Sequence, residues 1–100
     1  MNLIQVEQAR DMARDMVAEL VEAPTRENAR RLVAMCMKCR SGMSGRYGNV
    51  REQFTRLMDA AKLFDRASVD LTNGRYWLER ALGSIDIAIG LHKNWPKSAD

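Results

Sequence analysis

The chain has 100 residues, 46% of them hydrophobic and 29% charged, with a formal net charge of +3. That length suits one domain able to bury a core unaided, and that balance excludes a disordered chain. No apolar run approaches the ~18–20 residues of a membrane-spanning helix. Aromatic residues are scarce, with two Phe, two Tyr and two Trp, against abundant Ala, Leu, Met, Arg and Glu, so the composition favours helix over strand. Asn2, Gln5 and Glu7 stand where a signal peptide would be apolar, which predicts no export signal. Two cysteines in a domain that needs no covalent staple fit a reducing compartment, and the expected location is cytoplasmic.

Charge is unevenly spread. Residues 1–25 carry five acids and two arginines, a balance of −3, whereas 26–51 carry seven basic residues and one acid, a balance of +6. Residues 52–100 are even at seven against seven. Arginine supplies 12 of the 16 basic residues, and its planar fork pairs with carboxylate or phosphate better than lysine does.

The first predicted helix covers about 2–22. Asn2 caps it, with Gln5 three residues on completing a capping box. Val6, Ala9, Ala13, Met16 and Leu20 recur at helical steps, and Leu3, Met12 and Val17 widen the stripe. Pro24 ends this helix, and Thr25 is the N-cap of a second, about 26–41, with Ala29, Leu32, Val33, Cys36 and Cys39 on one face. Ser41 to Gly48 is the only Gly-rich segment and reads as a loop.

A third helix, about 50–72, is predicted to start from Asn49, with Glu52 completing a second capping box. Val50, Phe54, Leu57, Ala61, Phe64, Ser68 and Leu71 follow alternating four- and three-residue steps, a heptad seam. Asn73-Gly74 is the expected stop. A fourth helix, about 75–92, carries Leu78, Ala81, Leu82, Ile85, Ala88 and Ile89, and Trp95-Pro96 precedes a polar tail at 95–100. Ile85, Ile87, Ile89 and Leu91 alternate with Asp86, Ala88, Gly90 and His92 at strand period. A lone strand has no partner in this chain, so helix is the reading, with an intermolecular strand as the alternative.

Short connections make neighbouring helices antiparallel. The expected fold is therefore a single all-α domain over 1–100, an antiparallel up-down four-helix bundle. That course gathers the N-terminus, the loop 41–49 and the C-terminal tail at one end. Arg40, Arg46, Arg51, His92, Lys93 and Lys97 cluster there beside Tyr47 and Trp95, and 41–51 contains no acid.

Few residues carry chemistry. Cys36-Met37-Lys38-Cys39 is a CxxC, but a structural zinc needs four ligands, there is no second CxxC, and His92 is the only histidine. A redox pair wants its first thiol at a helix N-terminus, whereas this pair falls near a predicted C-terminus. Core thiols are the preferred reading; metal shared across a dimer and redox chemistry are the alternatives. Gly42-Met43-Ser44-Gly45 matches the GxxG of an RNA-binding KH loop without the sheet that module needs. What remains is Arg46 with backbone amides leading into a helix, a generic anion site.

Glu7, Asp11, Asp15 and Glu19 step by four along helix one and repel one another unless paired. Either they pair with Arg26, Arg30 and neighbours on the adjacent helix, or they form an acidic face that mimics nucleic-acid phosphates or docks on a basic partner. Seven methionines fill a core or an adaptable binding surface; Met12, Met16, Met35 and Met58 fit the core stripes. Helices one and four have stripes wide enough to leave apolar surface over, which suggests self-association as a homodimer or a partner. With one histidine there is no Ser/His/Asp set, and no Glu-x-x-His serves a di-iron bundle. The protein is not expected to be an enzyme, and neither cofactor nor metal is assigned.

The function expected is a non-catalytic protein-binding module that covers a partner's surface. Its contact residues are Arg40, Arg46, Tyr47, Arg51, Lys93 and Trp95 at the basic end, with Glu7, Asp11, Asp15 and Glu19 as the acidic face. In size and architecture the chain resembles, as a class, the small helical inhibitors that phages use to block host machinery, anti-CRISPR proteins among them. One alternative is a nucleic-acid binder using the basic end, with Tyr47 and Trp95 stacking on bases. Another is a small-molecule site between helices, with Arg75, Tyr76 and Arg80 as polar contacts.

Overall fold

The computed structural model describes residues 1–43, 45–65 and 71–94. Four helices run along its long axis: α1 (Leu3–Glu22), α2 (Arg26–Arg40), α3 (Gly48–Lys62) and α4 (Leu71–Asn94), with 3-10 turns at Gly45–Tyr47 and Leu63–Asp65. Extents of 49 × 22 × 17 Å leave room for two layers of helices in cross-section. α1 packs against α2 and α4, and α3 packs against α2 and α4. Among the described residues the backbones of α1 and α3, and those of α2 and α4, do not come close to each other. This square is the expected antiparallel four-helix bundle.

The caps explain where the first two helices begin. Asn2 accepts from the Gln5 amide at 2.9 Å while Gln5 Oε1 accepts from the Asn2 amide at 2.9 Å, so two otherwise unpartnered amides are satisfied reciprocally. Thr25 Oγ1 accepts from the Asn28 amide at 3.1 Å. Asn28 Nδ2 then donates back to the Ala23 carbonyl at 2.9 Å, fixing the turn around Pro24.

The core is apolar throughout. Phe54, Leu20, Leu32, Leu57, Leu78, Ile85 and Ile89 are fully buried, and no polar or charged residue is buried among those described. On α1 the inward positions are Val6, Ala9, Ala13, Val17 and Leu20; Met16 and Leu3 pack at its edge, and Met12, expected in the stripe, is exposed. Met35, Met43 and Met58 fill core space.

Three boundaries differ from the sequence reading. α3 starts at Gly48, with Tyr47 at the N-cap position and no side-chain capping bond, so Asn49 is not a cap. α3 ends at Lys62, and the seam's next member, Phe64, reaches the core from the 3-10 turn. Asn73-Gly74 does not stop a helix but lies inside the first turns of α4. The reason is spatial: a Cβ on Gly74 would stand 2.7 Å from the Phe64 ring, so the glycine's missing side chain lets the ring pack against the helix. Ser68 lies outside the described residues. Residues 85–91 are helical; their alternation arises because both faces of α4 are apolar there.

Candidate functional site

Among the described residues, the N-terminus, the loop before α3 and the end of α4 meet at one end. Met1 reaches over Gly42, its Cε 3.0 Å from where a Cβ would be. Tyr47 packs on His92 with ring centroids 4.8 Å apart, and His92 Nε2 donates to Asn49 Oδ1 at 2.8 Å. Asn49 thus ties α3 to the end of α4 in place of capping α3. Tyr47 is only 7% exposed, which corrects its expected role: a ring in the core cannot stack on a base or a partner. Lys93 Nζ donates to Glu7 Oε2 at 3.5 Å. Arg46 holds its guanidinium 5.9 Å from the Tyr47 ring centroid. Arg51 is exposed, while Arg40 is partly buried with its Nε enclosed and unbonded. Trp95 and Lys97 lie outside the described residues.

The acidic row on α1 is not one face. Each four-residue step turns about 40° past a full turn, so Glu7 and Glu19 diverge by about 120°. Glu7 therefore meets Lys93 on α4, and Glu19 meets Arg31 on α2 at 3.7 Å. Asp11 and Asp15, between them, are exposed. Asp11 accepts from Arg10 Nε at 2.6 Å, and Arg10 Nη1 also donates to Asp86 on α4 at 3.0 Å. Arg14 Nη2 adds two bonds to the same carboxylate at 3.3 Å. The Asp11 hydrogen bond first, and that to Asp86 after it, raise the Arg10 pKa against the opposing effect of burial. Arg10 and Arg14, not the basic residues of α2 alone, thus anchor α1 electrostatically.

The CxxC lies on one face of α2. Cys36 is fully buried, and burial pushes its thiol up to about 12. Cys39 is half-buried, is raised by the same cause, and donates to Met35 Sδ at 3.5 Å. Both thiols are free, and this environment disfavours the thiolate.

A further exposed apolar surface lies on the outward side of α4. A 3.6-residue period that turns Leu78, Ile85 and Ile89 inward turns Tyr76, Arg80, Ile87 and Leu91 outward. Ile87 is 69% exposed, Leu91 52% and Trp77 44%. Tyr76 and Trp77 meet edge to face at 5.2 Å. Arg80 Nη1 donates to the Tyr76 hydroxyl at 2.8 Å and its guanidinium lies 5.8 Å from the Trp77 ring centroid. Beside this cluster a cleft of about 500 Å³ opens between α3 and α4. Ala60, Leu63, Trp77 and Ala81 give it apolar walls, and Arg56 and Arg80 stand on its rim. Ala60, Ala81 and Ser84, which line it, are small side chains that leave this space between the two helices unfilled.

Sequence reasoning singled out Tyr76 and Arg80 as polar contacts but missed Trp77, Ile87 and Leu91. The signal was the strand-like alternation at 85–91, which on a helix means apolar residues on both the buried and the open side. No helix among the described residues is long and apolar enough to cross a membrane. No protein-family model, curated protein or solved structure matches the chain.

Proposed function

We propose that the protein is a non-catalytic protein-binding module that acts by covering a surface of its partner, with the outward side of α4 as the contact face. One observation carries this reading: Trp77, Tyr76 and Arg80 form a pre-organised cluster on open surface, continued by Ile87 and Leu91. Tryptophan, tyrosine and arginine dominate the binding energy of protein interfaces. Here the three side chains already contact one another, and such pre-organisation lowers the entropy lost on association. An inhibitor of the phage type, which blocks host machinery by occupying one of its surfaces, is the form of this function that the small helical scaffold suits.

The test is capture from bacterial lysates with the tagged protein, compared with Trp77→Ala and Ile87→Asp. Both side chains are exposed, so circular dichroism should show either variant folded. The expected result is a stoichiometric protein partner retained by the parent and lost by both variants. A partner retained equally by all three, or no protein partner across several hosts, overturns the reading. Light scattering on the parent separates a second copy of the chain from a foreign partner.

Nucleic acid is the second reading, favoured by Arg46 and Arg51 exposed at the acid-free loop end. It predicts a mobility shift at low salt that fades as salt rises and disappears when Arg40, Arg46 and Arg51 are all changed to alanine. Buried Tyr47 and paired Lys93 weigh against it.

A further inference from the structure

The chemistry of the partner can be taken a step further, resting on the protein-binding reading above. The walls of the α3–α4 cleft are apolar and its rim is cationic. The two rim arginines differ. Arg56 reaches Glu52 at 3.5 Å, so its charge is partly answered within α3. Arg80 makes no ion pair among the described residues: its contacts are the Tyr76 hydroxyl and the Trp77 ring. Those contacts hold the guanidinium in place without neutralising it. Asp59 is the one acid lining the cleft, and it lies beyond ion-pair distance of Arg80, whereas Arg75 spends its charge on Glu79 at 2.9 Å.

We infer that the cleft receives an acidic amphipathic helix of a partner protein, seating an apolar or aromatic side chain against Trp77 and a carboxylate on Arg80. The apolar walls take the anchor, in the manner of a helix laid into a groove. The guanidinium offers a planar fork that a carboxylate fits in pairs of hydrogen bonds. Its one hydrogen bond, from Nη1 to the Tyr76 hydroxyl, leaves the rest of that fork open. A lysine at the same place on the partner would meet Arg80 and Arg56 together, so the rim selects against basic segments as well as for acidic ones.

The test is selection of randomised helical peptides on the intact protein, with counter-selection on Trp77→Ala. Peptides that depend on Trp77 are expected to be enriched in Asp and Glu over the input library. Their binding is expected to weaken about tenfold or more in Arg80→Glu and by less in Arg80→Gln, which keeps hydrogen bonding but not charge. Two results overturn the inference: Trp77-dependent peptides no more acidic than the library, or equal binding to parent and Arg80→Glu. Absence of any Trp77-dependent peptide also overturns it. The wider reading fails separately, when Ile87→Asp and Trp77→Ala both leave capture of the natural partner intact. The inference alone fails when those two abolish capture and Arg80→Glu does not.

Discussion

Gly74 and the Phe64 ring occupy space that a single methyl group would contest, since a Cβ on Gly74 would stand 2.7 Å from two of the ring's carbons. Both residues are buried. Gly74→Ala is therefore expected to destabilise the fold by about 1–3 kcal/mol, the usual penalty for overpacking a core. Urea unfolding measures it, and the penalty should shrink when Phe64 is first changed to leucine.

Gly83 is the counter-case in the same helix. A Cβ there meets nothing within 4 Å, so Gly83→Ala should stabilise α4 by about 0.5–1 kcal/mol through helix propensity alone. Opposite signs for two Gly→Ala changes in one helix are the expected outcome in a thermal melt. Equal signs would remove the steric account of Phe64.

The sequence could not tell these two glycines apart, because what separates them is a ring from another segment. Much of the rest was legible. Asn2 with Gln5, and Thr25 ahead of Arg26, announce their helices through local hydrogen bonds. Val6, Ala9, Ala13 and Leu20 on α1, and Leu78, Ile85 and Ile89 on α4, report burial through period alone. Local signals failed wherever a distant partner outbid them. Asn49 with Glu52 has the spacing of a capping box, yet Asn49 bonds His92 from 43 residues away. Tyr47 sits in a Gly-rich loop that reads as solvated, yet its ring packs beneath α4. The exposed apolar side of α4 stayed hidden because an outward apolar residue and an inward one look alike until the helix has neighbours.

Asn2 and Asn49 offer a direct comparison. Asn2→Ala removes a reciprocal cap and should cost about 1 kcal/mol. Asn49→Ala should leave the start of α3 unchanged and instead alter the His92 ring signals in NMR spectra. A loss of α3 amide protection at Arg51 and Glu52, the amides a capping Asn49 would serve, would contradict this assignment in hydrogen exchange.

Cys36 makes stability depend on pH at the alkaline side. Its folded pKa, about 12, exceeds the ordinary 9.0, so the folded state holds the proton more tightly than the unfolded chain. The stabilisation is complete below about pH 9 and is lost as pH rises from there towards 12. Denaturation curves across that window should fall more steeply for the parent than for Cys36→Ala. Alkylation at pH 8 should modify Cys39 first, and Cys36 only as the protein opens.

Asp86 receives both Arg10 and Arg14. The three side chains are 43%, 19% and 54% exposed, so solvent screens much of the attraction. Asp86→Asn is expected to cost about 0.5–1 kcal/mol in dilute buffer and less in molar salt. A loss that does not respond to salt would mean that packing, not charge, holds α1 to α4 at this level.

Helix α4 keeps its buried and its exposed apolar side chains on separate faces. Leu78, Ile85 and Ile89 look into the core, while Tyr76, Arg80, Ile87 and Leu91 look away from it. The outward positions can therefore be changed without disturbing cohesion. Randomising the four outward positions together with Gly83 would turn this bundle into a scaffold for selecting recognition of unrelated targets.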